Sequence, residues 1–261
     1  MLINYVLADP TGNLTALVET PLDLPLRQHA AAALMGSKKE IEQLGFLAPP
    51  SKGGDIALSM AGGEFCGNAC LSASAYFLRK NGLSGGSVGV EISGADGIVK
   101  VELEKLGENE YAGRVEMPLP LSCESVESPL GELKLMRFPG ICHAIISTGI
   151  SRSEAEKLIV PLCAKIGCEA LGLMLLDEES RRLDPLVYVP GAESLFWERS
   201  CASGTTAVGA YLALREGKSL SVSLAQPGGT LSISAKHENG AVTKLLMGGK
   251  VILGGSEGFN F

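Results

Sequence analysis

The sequence predicts an α+β fold made of two similar halves, each holding a central apolar helix wrapped by antiparallel strands, with the active site in the cleft between them. Three observations predict it. The first is a repeated helix. Phe65-Cys66-Gly67-Asn68-Ala69-Cys70 runs into Leu71–Leu78, and Ser200-Cys201-Ala202-Ser203-Gly204-Thr205 runs into Thr206–Ala213. At one constant offset Cys66 meets Cys201, Ala75 meets Ala210 and Tyr76 meets Tyr211. Small side chains along such a run suit a helix buried on several sides, and Asn68, Ser203 and Thr205 are good N-terminal residues.

The second observation is the hairpin after each helix. Val88–Ser93 alternates, turns at Gly94-Ala95-Asp96-Gly97 and returns as Ile98–Leu103. Leu220–Leu224 alternates, turns at Pro227-Gly228-Gly229 and returns as Leu231–Ser234. Alternation joined by turn residues is the hairpin signature. Each leads to one more strand, Tyr111–Met117 in the first half and Leu245–Leu253 in the second.

The third observation is a weaker echo among the opening strands. Leu2–Val6, a turn over residues 9–13 and Thr15–Val18 begin the first half. Leu133–Phe138, a turn at Pro139-Gly140 and His143–Ile146 begin the second. Pro25–Lys39 and Arg152–Lys165 read as an equivalent pair of helices, and Leu44 opens a short apolar strand after Gln43. Residues 119–129 are rich in Pro, Ser and Glu and read as a linker, which gives an N-terminal domain at 1–118 and a C-terminal domain at 130–261.

Composition narrows the function. The chain has 261 residues, 46% hydrophobic and 20% charged, with a net charge of -7. A core is affordable at this length. The negative balance and the lack of a basic run speak against nucleic acid or an anionic membrane as partner. The N-terminus has no basic segment with a cleavage site, and apolar runs such as Leu171–Leu176 fall far short of a bilayer span. A cytoplasmic protein is expected. Seven cysteines without an export signal imply reduced thiols. Cys123, Cys163 and Cys168 read as small buried hydrophobes. No Cys-x-x-Cys pair occurs, no metal-ligand cluster is evident and no lysine stands in a recognisable pyridoxal-phosphate setting, so neither metal nor cofactor is expected.

The chemistry follows from the repeat. Each of Cys66 and Cys201 stands at a helix mouth, where unpaired N–H groups and partial positive charge favour a thiolate and a bound carboxylate. Gly67, Ala202 and Gly204 leave room for backbone to approach a ligand. One thiolate could remove the α-proton of a bound amino acid while the opposite thiol protonates the other face. The helix-end N–H groups would stabilise the carbanion character through the carboxylate.

At these residues the chain resembles the diaminopimelate epimerase superfamily of cofactor-independent racemases. Met60–Ala69, with Cys66-Gly67-Asn68 inside it, resembles the first cysteine segment of that family. Trp197–Thr205, with Glu198-Arg199-Ser200-Cys201, resembles the second and is also similar to the cysteine segment of proline racemases. Thr11-Gly12-Asn13 is similar to an N-terminal Gly-Asn shared with phenazine-biosynthesis-type isomerases. The resemblance implies two small antiparallel β-barrels, each around one helix, and two-base catalysis by Cys66 and Cys201 without pyridoxal phosphate or metal. It implies substrate contacts at Asn13, Gln43, Gly67, Asn68, Ala202 and Ser203. A homodimer is expected.

The departures bear on substrate. Ile141 stands where the epimerases have an asparagine, Ser59 or Met60 replaces a second one, and Glu198-Arg199 directly abuts Ser200-Cys201 instead of lying well upstream. Diaminopimelate is therefore disfavoured. Together the two cysteine segments look closest to the histidine racemases associated with opine metallophore biosynthesis. Glu64 and Glu198 could bond an imidazole or the α-ammonium, or could be solvated carboxylates or helix caps; His143 could face the cleft or be structural. Three alternatives remain open at this point: a racemase or epimerase for another amino acid, diaminopimelate included; a phenazine-biosynthesis-type isomerase; and a non-catalytic small-molecule-binding module. The last two would need neither thiol.

Overall fold

A computed structural model of the chain describes residues 1–147 and 149–261. It is α+β and divides into two compact units, residues 1–116 with 248–261 and residues 117–247.

Unit 1 begins with β1 (Leu2–Pro10), β2 (Thr15–Val18), α1 (Leu24–Ser37), β3 (Gln43–Ala48) and β4 (Ile56–Met60). It continues with α2 (Gly67–Lys80), β5 (Gly85–Ile92), β6 (Ile98–Lys105) and β7 (Glu110–Glu116). Unit 2 holds β8 (Ser122–Ser128), β9 (Gly131–Phe138), β10 (Ile141–Ile146), α3 (Arg152–Ile166), β11 (Leu171–Asp177) and β12 (Arg182–Val189). It ends with β13 (Ser194–Trp197), α4 (Ala202–Glu216), β14 (Leu220–Gln226), β15 (Gly229–Glu238) and the start of β16 (Ala241–Asn260).

Element order is the duplication made visible. From β1 to β6 and from β9 to β15 the chain follows one plan: two strands, a helix, two strands, a helix, then a hairpin, with β13 as an insertion. Most neighbouring strands are antiparallel, as expected. The sheets are nonetheless mixed, because β2–β3, β4–β5, β10–β11 and β12–β14 pair in parallel. Each of these pairs flanks a helix. Only a crossover of that length lets successive strands run the same way. In unit 1 the second part of β16 pairs with β1 and neighbours β7, so the ring of strands closes.

Two boundaries differ from the sequence expectation. The stretch read as a linker contains β8, which pairs antiparallel with β9 from Ser122↔Arg137 to Ser128↔Gly131. Its Ser-Cys-Glu-Ser-Val-Glu-Ser composition is that of an edge strand with one polar face, which looks like a linker when its partner is unknown. The chain's last residues, 248–261, belong to unit 1 and not to the C-terminal half.

Helix α2 is the axis of unit 1. It packs against every strand from β1 to β7, and residues Gly67–Tyr76 are all buried. Ser72 hides its hydroxyl by donating to the carbonyl of Asn68 at 2.9 Å. Helix α4 is its counterpart and packs on β9, β10, β11, β14 and β15. Thr205 and Thr206 satisfy their hydroxyls one turn back, at the carbonyls of Cys201 and Ala202. A side chain at Gly209 would collide with Ile233 of β15, so close approach explains that glycine. The outer helices cover the sheets. Helix α1 sets Ala30, Ala31 and Leu34 onto Ile3, Tyr5, Leu44 and Phe46. Helix α3 sets Ala155, Leu158, Ile159 and Leu162 onto Leu135, Ala144, Leu171 and Leu173. Among the described residues no helix is long and apolar enough to cross a membrane.

Candidate active site

Each candidate cysteine is the N-cap of its helix. Cys66 sits in extended backbone (φ -138°, ψ 115°) before α2, and its Sγ accepts from the Ala69 N–H at 3.3 Å. Cys201 has the same conformation (φ -119°, ψ 108°) before α4, and its Sγ accepts from the Gly204 N–H at 3.2 Å. A thiol in the N-cap role faces the helix's unpaired donors, the polar end of the macrodipole. Both side chains are buried.

Around Cys66 the structure gathers most of the expected site of the first half. The thiol donates to Gln43 Oε1, at the start of β3, at 2.9 Å. Asn13 and Asn68 are buried, and the Oδ1 atom of each has no hydrogen-bond partner. The amide nitrogen of Asn13 donates to Glu42 at 2.8 Å. Buried carbonyl oxygens without donors are costly, about 1–3 kcal/mol each, unless a ligand supplies the N–H. Gly67 opens α2 and is buried. Glu64 lies on the exposed segment before Cys66.

Sequence reasoning missed what holds that segment. Ser93 Oγ accepts from the Met60 N–H at 2.9 Å and donates to the Glu64 carbonyl at 3.1 Å. Gly94, at φ 73°, lies so close to Phe65 N that a Cβ would strike it. The turn of the β5–β6 hairpin therefore sets the approach to Cys66.

Around Cys201 the supports are different. Gln226, buried at the end of β14, accepts from the Cys201 N–H at 2.9 Å and donates to Thr205 Oγ1 at 2.8 Å. Thr205 Oγ1 donates to the Cys201 carbonyl at 2.7 Å. The three residues form a closed ring that holds both the N–H and the carbonyl of Cys201. Gly204 is required for space, since a Cβ there would strike Met174 Sδ and stand 3.1 Å from Cys201 Sγ. Ser203 Oγ lies 3.5 Å from Cys201 Sγ, and Ala202 opens the helix, buried.

The expectation that a helix mouth lowers the thiol pKa does not hold at Cys201. Burial pushes the thiol well up, and the charge of Glu198 and its hydrogen bond to the thiol push it further. The donors at Ser203 and Gly204 pull the other way and are outweighed. Glu198 is thus the thiol's own carboxylate partner. Arg199 is exposed.

His143 is fully buried, and neither ring nitrogen has a partner. Phe138 meets it edge-on at 6.1 Å. Burial drops its pKa to about 3, so it is neutral in the folded chain. The unfolded histidine takes a proton near pH 6.5, so stability is lost as pH falls below that value and the loss levels off near pH 3. The slope is about 1.4 kcal/mol per pH unit. In His143→Leu, urea unfolding midpoints between pH 6 and pH 4 are expected to fall less steeply than in the wild type. An unchanged slope would place the acid sensitivity elsewhere.

The ring around Cys201 makes its own prediction. Gln226→Leu leaves the Cys201 N–H and Thr205 Oγ1 without their buried partner, at a cost of about 1–3 kcal/mol. It should also let the thiol drift, lowering kcat more than it changes KM. Gln226→Glu, which keeps the acceptor, should recover part of kcat. Equal loss in both variants would show that shape alone matters.

Comparison with known proteins gives the family of the chain. Residues 2–260 match the family model of the histidine racemase CntK N-terminal domain. The chain is 30% identical over 219 residues to a histidine racemase of Fusobacterium nucleatum, covering 80% of this chain and 81% of that one. It is 27% identical over 258 residues to a histidine racemase of Staphylococcus aureus, covering 93% of each. Among solved structures it superposes on a hydroxyproline epimerase from Agrobacterium vitis with TM-score 0.68 at 13% identity, over 98% of this chain and 92% of the other. The chain belongs to the histidine racemase CntK N-terminal domain family and is an isomerase of the racemase type.

Proposed function

We propose that the chain racemises free histidine by a two-base mechanism in which Cys66 and Cys201 address opposite faces of the α-carbon. The observation that carries this is the pair of N-cap thiols, each buried and each aligned by a helix N–H. The histidine racemase relatives at 27–30% identity support the substrate. Opine metallophore biosynthesis is the pathway we infer for the D-amino acid.

The residues divide the work. The helix N–H groups and the small residues Gly67 and Ala202 receive the α-carboxylate. Drawing charge onto that carboxylate is what makes the α-proton removable. Asn13 and Asn68 offer their unpaired Oδ1 atoms to the α-ammonium or the imidazole N–H. The thiol of Cys201, held protonated by burial and by Glu198, is the acid in the direction in which Cys66 is the base. That transfer leaves Cys66 as the thiol and Cys201 as the thiolate, so in the reverse direction Cys201 is the base and Cys66 the acid. Gln43 holds the Cys66 thiol in line. Chiral chromatography after incubation with each common L-amino acid tests the substrate: D-histidine should accumulate fastest, and a faster small neutral amino acid would contradict the reading.

Glu198→Gln separates the carboxylate's role from mere packing. Burial raises the Cys201 pKa most and the Glu198 charge raises it further, so removing that charge should lower it. The alkaline limb of kcat/KM, where it reports loss of the Cys201 proton, should move to lower pH. Alkylation of Cys201 by iodoacetamide at pH 8 should quicken, because more of the thiol is then ionised. A slower or unchanged alkylation rate would remove Glu198 from the acid–base chemistry.

A further inference from the structure

Unit 2 holds three more cysteines in one cluster, none used by the racemase chemistry. Cys142 lies on β10, Cys163 on the last turn of α3, and Cys168 just beyond the left-handed Gly167 that ends that helix. The β10–β11 pairing begins at Cys142↔Leu171, and the Cys142 N–H donates to the Ala170 carbonyl at 3.0 Å. The chain leaving α3 is thereby brought back against β10. Cys163 Sγ stands 3.7 Å from Cys168 Sγ and 3.5 Å from the Cys168 carbonyl.

A cation is built in beside them. Arg137 is the cross-strand partner of Cys142 on β9. Its Nε donates to both carboxylate oxygens of Glu124, at 3.0 and 3.1 Å. That pair fixes the guanidinium, whose Nη1 then reaches Cys142 Sγ at 3.5 Å. The hydrogen bond from Cys168 and the Arg137 charge draw the Cys142 pKa down to about 7, while Cys168 is pushed up as the donor of the pair. Cys142 and Cys163 are buried and Cys168 is half-exposed, so the cluster opens to solvent at Cys168. Among the described residues no group of three or more His, Cys, Asp and Glu is placed to hold a metal ion.

We propose that Cys142 and Cys168 form an oxidant-reactive dithiol that takes small hydroperoxides. The Cys142 thiolate attacks the terminal peroxide oxygen and the O–O bond breaks. The sulfur is oxidised to a sulfenic acid, and the peroxide leaves, with a proton, as water or an alcohol. The Cys168 thiol then displaces the sulfenic hydroxyl. The S–S bond forms, its proton leaves with the hydroxyl as water, and two electrons have passed from the pair to the peroxide. Cys142 and Cys168 belong to the same packed cluster, and side-chain rotation must bring their sulfurs to about 2.05 Å. An external dithiol returns the pair to its starting state.

The test is peptide mapping under non-reducing conditions after hydrogen peroxide. It reads each cysteine separately, so its result does not depend on the racemase reading. A Cys142–Cys168 crosslink that dithiothreitol removes is expected, with the exposed Cys123 still free at the same dose. In Cys168→Ser, dimedone should label Cys142, which retains its native residue and so reports even if the pair cannot close. Arg137→Met should slow Cys142 oxidation about tenfold through its higher pKa and lost thiolate. Cys142 and Cys168 both staying reduced while Cys123 is oxidised would overturn the proposal. So would a Cys163–Cys168 crosslink forming at the wild-type rate in Cys142→Ala.

Discussion

Replacing Cys66 or Cys201 with serine is expected to lower histidine racemisation by more than ~10²-fold, the scale of a lost general acid or base. Serine is close to cysteine in shape, and its oxygen can still accept from the N–H of Ala69 or Gly204. The caps should survive, and circular dichroism should show a folded chain. What serine cannot do is carry the proton, since its hydroxyl ionises far above any thiol. Steady-state rates in both directions check this. Each variant should fail in both, because each thiol is the base in one direction and the acid in the other. Near-wild-type turnover in either variant would sink the two-thiol mechanism.

The second large effect is discrimination against LL-diaminopimelate. That substrate carries a second ammonium and carboxylate, which must be matched when buried. The positions that would match them are Ile141, which is half-buried and apolar, and Ser59 or Met60, the latter buried in the core of unit 1. Each unmatched polar group costs about 1–3 kcal/mol, so two or three lower kcat/KM by several powers of ten. Histidine carries one ammonium and one carboxylate, and its imidazole needs only an acceptor and a neighbouring carboxylate. Measured under identical conditions, kcat/KM should favour histidine by at least ~10³-fold. Comparable efficiency on both would overturn the substrate and leave the cysteine chemistry standing.

Much of this site was legible because it is written twice. Cys66 and Cys201 stand out at equal positions of two matching runs, and N-cap geometry follows from a cysteine set before small, helix-starting residues. Asn13, Gln43 and Asn68 were reached through resemblance, and the structure brings Gln43 to the thiol and leaves the two asparagines with open acceptors. Gln226 was not legible. It is a polar residue at the end of an alternating strand, and only the return of β14 past the helix mouth gives it a role. Ser93 was hidden for the same reason. The direction of the Cys201 pKa also lay beyond the sequence. A helix mouth argues for a thiolate, but burial and the Glu198 carboxylate set the balance, and neither can be weighed until the side chains are placed.

The fold divides similarly. Helices and hairpins with strong periodicity fell where they were read: α1 at Leu24–Ser37 against an expected 25–39, and α3 at Arg152–Ile166 against 152–165. Parallel pairing was invisible, since alternation says a strand exists but not which way its neighbour runs. The last strand carried no local sign that its end belongs with the first half. Gly254, Gly255 and Gly258 make that end look like a tail, while its partners Leu2–Pro10 lie at the opposite terminus.

Solvent-isotope incorporation tests the central claim most directly. L-Histidine is incubated with the enzyme in deuterium oxide, and α-deuterium is measured in both enantiomers at low conversion. With two thiols on opposite faces, the base that removes the α-proton is not the acid that delivers the new one. The D-histidine formed should therefore carry α-deuterium in nearly every molecule, while the remaining L-histidine stays almost wholly protiated. D-Histidine that retains the original proton, or deuterium entering L-histidine as fast as D-histidine forms, would mean one base serving both faces and would contradict the account.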